Sequence, residues 1–369
     1  MFVSFRPART LPYDPAVIGL DIRPLEPDDA RAVHDLVAHP AVARALGGTP
    51  LDPPHAHEQR FRASFAAGGP ERLGAFEGGA LVGLVEMSRG ARARFSHVAT
   101  LVLAVHPEHR RRGVGAALLG AALDAADRWM HLVRLEVEAL AEDAPAQRLL
   151  ERHGFVVEVR RRRALVVSGA LADTVTMARI RPGFTQPEGA LRPMPVPPPR
   201  RGPRGEVVVR PTSPDDAARL ARFSRDETIL RASSQMPTMG VDYWRRRIEG
   251  WTSSWSVVAV VEGEIAACGN LHASEVPRRR HALTLGLSVG AEHQGMGIGD
   301  RMMTVLLDAA DTWLGAERVD LVVVADNARA VSLYEKHGFE REGLLRYEIW
   351  RDGGYADSLA MARLRSRGA

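Results

Sequence analysis

Residues 97–179 of this 369-residue chain recur at 281–363, offset by 184 with no gap, and 32 of the 83 aligned positions are identical. His109, Gly113, Gly115, Trp129, His153, Gly154 and Phe155 return as His293, Gly297, Gly299, Trp313, His337, Gly338 and Phe339. A repeat of that length is a duplicated domain and not a solenoid unit, so one fold is written twice. Each half, at about 180 residues, is long enough to close its own core without disulfides or metals. The repeat also isolates what it does not copy. Asn327 and Tyr334 in the second copy stand opposite Asp143 and Leu150 in the first.

Punctuation sets the limits of the halves. Residues 1–19, with Pro7, Pro12 and Pro15, read as an irregular extension. Residues 20–180 are the first domain, and residues 206–369 are the second. Between them, 181–205 holds eight prolines, including Pro195 and Pro197-Pro198-Pro199, and predicts an extended, semi-rigid linker. No cleavable apolar N-terminal segment and no run of about 18 apolar residues is present, so the expectation is a soluble cytoplasmic protein with no membrane partner. The single cysteine, Cys268, excludes an internal disulfide and lies in an apolar run, where it reads as a buried structural thiol. No metal site is read from the sequence.

The net charge of +4 and pI near 9.7 are arginine-driven, since Lys336 is the only lysine. A nucleic-acid surface needs clustered basic residues interleaved with aromatics, and only 6% of residues are aromatic. Nucleic acid is therefore not an expected partner. The run Arg160-Arg161-Arg162-Arg163 reads as the exposed end of a strand.

Each copy opens with a short strand (Gly19–Pro24; Val207–Pro211) and an acidic helix start, Pro27-Asp28-Asp29 or Pro214-Asp215-Asp216. A hairpin follows, with Leu73–Phe76 and Leu81–Met87 flanking Glu77-Gly78-Gly79, and Ser256–Val261 and Ile265–Leu271 flanking Glu262-Gly263-Glu264. Next come a strand (Thr100–Val105; Thr284–Val289), a Gly-rich turn, a long helix (Val114–Trp129; Ile298–Trp313), and a strand (Arg134–Leu140; Arg318–Val324). A second helix stops at His153-Gly154 or His337-Gly338, and further strands close each copy. The order predicts a mixed α/β (α+β) fold in two copies, each a mostly antiparallel mixed sheet flanked by helices.

The turns carry the first chemical signal. Arg110-Arg111-Arg112-Gly113-Val114-Gly115 and Gln294-Gly295-Met296-Gly297-Ile298-Gly299 each follow an apolar strand and open a helix. That placement aims backbone N–H groups and the positive helix end at one point, which suits a phosphate. The bland alternative is an ordinary tight turn. Neither copy has the Lys-Ser/Thr ending of a P-loop or dinucleotide-fold spacing.

With Asn327 and Tyr334 ahead of Lys336-His337-Gly338-Phe339, the chain resembles the GNAT family of acetyl-CoA-dependent N-acyltransferases, over both copies almost end to end. Arg278-Arg279-Arg280-His281, Gly354-Tyr355-Ala356-Asp357 and Met361-Ala362-Arg363 are similar, more loosely, to a bacterial branch that acetylates free L-amino acids. The resemblance implies acetyl-CoA as co-substrate, with its pyrophosphate on the turn (Gln294 through Gly299, with Asp300) and its pantetheine along Leu287, Ser288 and Val289. In the first domain the matching positions are Val105, Arg110, Arg111, Arg112, Gly113, Val114 and Gly115. It also implies direct attack by an amine, without an acyl-enzyme.

Direct aminolysis needs a proton for the departing thiolate, and a tyrosine can supply one. Tyr334 is where the family places that acid; otherwise it is a packing aromatic. Asn327 offers an amide to the pantetheine arm or a water, or caps a helix, or both. Leu150 cannot donate a proton, and Asp143 brings negative charge toward an anionic ligand, while Pro145 replaces Arg329. Three consecutive arginines nevertheless make the first turn the more cationic. The first copy is thus expected to bind CoA, or to have once done so, with little or no catalysis. Candidates for the general base are Glu275, His281, Glu227 and Asp242. His281 repeats as His97, which suits a structural job as well. Trp244, Trp251 and Trp255 read either as an apolar acceptor pocket or as core. The best acceptor is the α-amino group of an L-amino acid. Alternatives are a protein N-terminus, an amino sugar or aminoglycoside, a mycothiol-type amine, or, in a different class, a non-catalytic acyl-CoA-binding scaffold. Oligomeric state is not readable, although two fused copies could mimic a dimer.

Overall fold

The computed structural model describes residues 19–365 except 49–50, 52, 67–68, 196–198, 200–201, 203–204 and 251–253. Residues 1–18 of the expected extension lie outside it, as does Trp251. The chain folds as two compact units, Met1–Thr185 and Gln186–Ala369.

The first unit runs β1 (Asp21–Pro24), α1 (Ala30–Ala38), α2 (Pro40–Leu46), α3 (Pro54–Ala66), β2 (Glu71–Glu77), β3 (Ala80–Arg89), β4 (Val98–Val105), α4 (Val114–Trp129), β5 (Arg134–Leu140), α5 (Ala144–Arg152), β6 (Val156–Val167) and β7 (Ala170–Ile180). Its strand order is β1-β2-β3-β4-β5-β7-β6. The second unit repeats the plan: β8 (Val207–Pro211), α6 (Ala217–Phe223), α7 (Glu227–Ala232), α8 (Val241–Glu249), β9 (Ser254–Val261), β10 (Glu264–Ala273), β11 (Ala282–Val289), α9 (Ile298–Asp308), β12 (Arg318–Val324), α10 (Ala328–Lys336), β13 (Glu340–Arg351) and β14 (Gly354–Leu364), in the order β8-β9-β10-β11-β12-β14-β13. In each sheet only the central pair, β4 with β5 or β11 with β12, is parallel.

Alternation along the strands divides two faces. One face of the second sheet (Leu271, Leu283, Leu285, Leu321, Val323) packs under α9 and α10 with Met303, Leu306 and Phe339. The other meets α6 and α8 through Val258, Ile265 and Cys268 against Leu220, Trp244 and Ile248. The first unit buries the same two layers.

Three arginine–carboxylate locks are copied intact. Arg23 holds Asp29 by two 2.8 Å bonds and Arg210 holds Asp216 by two 2.7 Å bonds, pinning the first strand to the start of the first helix. Hydrogen bonds from that guanidinium keep the Asp29 and Asp216 carboxyls below their usual range, against the opposing effect of burial. Arg134 (0% exposed) bonds Glu158 at 2.7 Å, and Arg318 (1%) bonds Glu342 through both terminal nitrogens at 2.8 and 2.6 Å. Arg179 grips Asp127, and Arg363 grips Asp311.

The arginine run does not end a strand. Arg160–Arg163 lies in the middle of β6 at a register shift, where Arg163 adopts φ 51° and its N–H donates to Asp173 at 3.0 Å. The second copy does the same at Tyr347, with φ 52° and a 2.8 Å bond to Asp357. A carboxylate on the neighbouring strand therefore fixes the bulge in both halves. The expected helix Ile298–Trp313 changes to π-helical hydrogen bonding at Ala309–Trp313.

Part of the Pro-rich segment is tied to the second unit. Arg231 donates to the carbonyls of Arg192 and Pro193 at 2.8 Å, and Arg351, 2% exposed, donates to Arg192 O at 2.9 Å and to Asp326. Met194 N donates to Asp326 at 3.1 Å, and Tyr355 N donates to the Gln186 side chain at 2.5 Å. The tie ends one residue before Asn327.

Candidate active site

The parallel pair is where each sheet opens. β11 and β12 pair only from Ala282↔Arg318 to Thr284↔Asp320, and β4 and β5 from Val98↔Arg134 to Leu101↔Val137. Beyond Thr284 the strands part. Leu285–Val289 then keeps β10 as its one neighbour, leaving strand N–H and C=O groups on the other edge for an extended polar arm.

The strand leads straight into the turn. Gly297 (φ 76°) and Gly113 (φ 87°) sit at the N-caps of α9 and α4 in the left-handed region that favours glycine. The first N–H groups of those helices have no carbonyl one turn back, so they point outward with the positive helix end. Gly299 serves packing: a Cβ there would lie 3.1 Å from Leu333 Cδ2, and at Gly115 3.2 Å from Leu149 Cδ2.

Gln294 braces its turn by donating to Val289 O at 3.2 Å, while Arg329 reaches its amide oxygen at 3.3 Å. Arg110 makes the matching bond to Val105 O at 3.1 Å and another to Ala41 O at 3.3 Å. Arg112 is bonded to Glu77 at 2.5 Å. Two of the three arginines in the first turn are thus engaged inside the fold, and Arg111 takes φ 61°. Asp300 is bonded to Lys336 at 2.5 Å and His337 at 3.1 Å, tying α9 to α10. His106, Glu108 and His109 bring potential ligand atoms within 4.8 Å of one another, but His109 already bonds Glu77 at 3.0 Å beside Arg112.

Tyr334 lies behind the opening. It is 6% exposed, in a cluster with Leu283 and Leu285 of β11 and Leu321 and Val323 of β12, its ring 5.8 Å from Phe339. Burial pushes its phenol up to about 12, and among the described residues no protein group hydrogen-bonds its hydroxyl. Leu150 fills the equivalent place, 3% exposed. Asn327 caps α10 through a 3.2 Å bond from Ala330 N, and Asp143 caps α5 through 3.1 Å from Ala146 N. The cap is therefore common to both copies; what Asn327 adds is an amide donor with no negative charge.

On the opposite face, cross-strand register lines up Ser254, His272, Thr284 and Asp320 in one row and Ser256, Asn270 and Gly286 in the next. Gly286 is the first residue on this face beyond the parting. A Cβ there would fall 2.4 Å from Asn270 Oδ1. His272 is bonded to both Ser254 and Asn270. In the first domain, Arg72 and Glu86 occupy the places of Ser256 and Asn270, joined at 2.7 Å, and Arg72 lies over Phe61 at 4.8 Å. They wall a cavity of about 230 Å³ with Val33, Phe61, Leu84 and Val102.

The other sequence candidates scatter. Glu275 and Glu227 are exposed, and Asp242 is 81% exposed at its side chain beside Arg245. The His281 carbonyl receives Glu317 N and Arg318 N, as the His97 carbonyl receives Val133 N and Arg134 N, so the repeated histidine anchors the parallel pair through its backbone. Trp244 is core, 4% exposed and bonded to Ser224, while Trp255 is 43% exposed, so these two do not share one pocket. Cys268 is half-buried under α6 and α8, and burial pushes its thiol up to about 11, which suits a structural role. His272, Asn270 and Ser254 were missed. Their signal was the period of two from Cys268 through Asn270 to His272.

The parted parallel pair and the glycine turn at a helix N-terminus give the frame of an acyl-CoA-dependent acyltransferase. The chain belongs to the acetyltransferase (GNAT) family, matched over residues 39–155 and 225–339, and is an acetyl-CoA-dependent N-acyltransferase. It is 27% identical over 160 residues to the L-amino acid N-acetyltransferase AaaT of Escherichia coli, covering 43% of this chain and 99% of that one. It is 28% identical over 342 residues to the mycothiol acetyltransferase of Sanguibacter keddieii, covering 89% and 95%. Among solved structures, spermidine N-acetyltransferase of Vibrio cholerae, in complex with CoA and spermine, aligns over 44% of this chain and 96% of its own at 22% identity and TM-score 0.41. Among the described residues no helix is long and apolar enough to cross a membrane.

Proposed function

We propose that the second domain transfers the acetyl group to the primary amine of a small molecule, foremost the α-amino group of an L-amino acid, and that the first domain does not catalyse. The observation that carries this reading is the buried phenol of Tyr334 behind the open end of β11, where the first domain has Leu150.

The acid's strength fits its place. Transfer leaves a thiolate in the same water-poor interior. Burial lifts the phenol to about 12. The phenol therefore stays protonated until the C–S bond breaks, when the departing thiolate becomes its proton acceptor. The turn residues Gln294, Gly295, Met296, Gly297, Ile298, Gly299 and Asp300 hold the pyrophosphate end, and Leu287, Ser288 and Val289 with Asn327 hold the arm. Mycothiol-type cysteinyl amines are the second acceptor reading, favoured by relatives of that name that span both halves of the chain.

Thiol release from acetyl-CoA across L-amino acids, polyamines and cysteinyl amines tests the acceptor. Tyr334→Phe is expected to lower kcat about 10²–10³-fold with little change in KM for acetyl-CoA. Retention of most activity in that variant removes the assignment of the acid.

A further inference from the structure

We infer that His272, held between Ser254 and Asn270 on the face opposite Tyr334, is the general base that takes the proton of the incoming amine. The inference rests on the reading of the second domain as the catalytic one.

Position comes first. His272 pairs in register with Thr284, the last residue of β11 that still pairs with β12, and Asn270 pairs with Gly286, the first on that face beyond the parting. The thioester arm enters along Leu285–Val289, and Tyr334 covers it from the α10 side. An amine attacking from the far side arrives over Gly286. The missing side chain there leaves the Asn270 amide oxygen facing the opening. None of the carboxylates or histidines suggested by the sequence lies in these two rows.

Chemistry comes second. Asn270 Nδ2 donating to His272 Nε2 fixes the neutral ring with its proton on Nδ1, donating to Ser254 Oγ. The lone pair on Nε2 takes the amine's proton once the Asn270 amide has swung off it. An amide is nearly symmetric in shape, and its terminal torsion is broad and two-fold. The half-turn of Asn270 that frees Nε2 also offers Oδ1 in place of Nδ2 to the protonated ring, and Ser254 Oγ still accepts from Nδ1–H. The same three side chains thus suit both the neutral and the charged ring.

The step balances. An ammonium N–H bond breaks, its proton goes to His272 Nε2, and the electron pair stays on nitrogen and forms the C–N bond. As the C–S bond breaks, Tyr334 gives its proton to sulfur, and the second ammonium proton restores the phenol. The imidazolium proton leaves to water and is the one proton the net reaction releases. The charged or titratable groups facing these rows are otherwise engaged. Asp320 of β12 is held by Arg318 at 3.1 Å and Thr284 at 3.0 Å. Arg247 and Tyr243 of α8 are bonded to each other at 3.0 Å, and Arg210, beyond β9, is bonded to Asp216. Cys268 lies farther in on β10, and Glu275 is exposed on the loop beyond it.

The test uses the full chain, with acetyl transfer to the best amine followed from pH 6 to 10 and CoA binding measured alongside. His272→Gln keeps a polar bridge but cannot take up a proton. It is expected to lower kcat/KM for the amine about 10²-fold near pH 7 and to lose the acid limb of the profile, with CoA affinity within about two-fold of wild type. Asn270→Asp sets a carboxylate against the ring and is expected to move the acid limb up by about one pH unit. His272→Gln with the wild-type profile, or an unmoved limb in folded, CoA-binding Asn270→Asp, overturns the assignment of the base. A wild-type chain that acetylates no amine overturns the functional reading and this inference together.

Discussion

In the first domain the place behind the parted strands holds Leu150, and the rows above the opening hold the Arg72–Glu86 pair with Val102. In the second the same places hold Tyr334, and Ser256, Asn270 and Gly286. The three arginine locks, the N-terminal caps and the left-handed glycines of the turns match in both. Duplication therefore preserved the groups that hold the sheet and released the groups facing the opening. On the proposed reading, a first domain without catalysis is free to place an ion pair stacked on phenylalanine at these rows.

If the locks are equivalent, breaking them should be equally costly. Arg134→Ala and Arg318→Ala each leave a nearly buried glutamate without its cation, and Glu158 and Glu342 are 3% and 1% exposed at their side chains. Each variant is expected to lose about 3–5 kcal/mol of stability in its own domain. Arg318 falls toward the upper end, because both of its terminal nitrogens grip Glu342. Urea unfolding, with hydrogen exchange assigned to peptides of each domain, reads this. A loss confined to one variant would break the equivalence of the two frameworks.

Alkaline stability should separate the halves instead. Cys268 rises from 9.0 to about 11 and Tyr334 from 10.0 to about 12, and their first-domain counterparts are Leu84 and Leu150. For an acid whose folded pKa lies above its unfolded value, the contribution is complete below the unfolded pKa and is lost as pH rises through the folded one. The second domain is thus expected to weaken from pH 9 to 12, each group accounting for about 2–3 kcal/mol at most. Tyr334→Phe should flatten the upper part of that window. Five of the six tryptophans lie in the second half, so their fluorescence in urea at stepped pH reports it. A second domain that holds its stability to pH 12 would mean that the phenol and thiol are not sealed from water.

Much of this was legible in the sequence because periodicity and glycine placement act locally. Val114–Trp129, Arg134–Leu140 and Arg318–Val324 fall where the pattern put them. The Tyr334/Leu150 contrast needed only the repeat. What was not legible depends on register. Arg160–Arg163 reads as a strand end until the bulge tied to Asp173 is seen. The arginines of the first turn read as phosphate ligands, yet Arg110 and Arg112 find partners at Val105, Ala41 and Glu77. Asn270 and His272 gain meaning only when pairing sets them beside Gly286 and Thr284, because sequence spacing does not say where two parallel strands part.

Gly286 offers the finest cut between the copies. Its counterpart is Val102, and a Cβ at 286 would lie 2.4 Å from Asn270 Oδ1. The amide is the end of a short side chain and can swing aside, so the fold should tolerate Gly286→Val. Swinging it takes the amide from His272 and narrows the path to the opening. The expected result is roughly a ten-fold fall in kcat/KM for the amine, with KM for acetyl-CoA unchanged, because the proposed path of the arm follows the strand edge and the phenol is on the other face. The reverse change, Val102→Gly, leaves the Arg72–Glu86 pair and Leu150 in place and should confer no transfer on the first domain when Tyr334 is replaced by Phe. Wild-type rates in Gly286→Val would mean that the amine does not approach over this face, and the contrast between the domains would then reduce to Tyr334 alone.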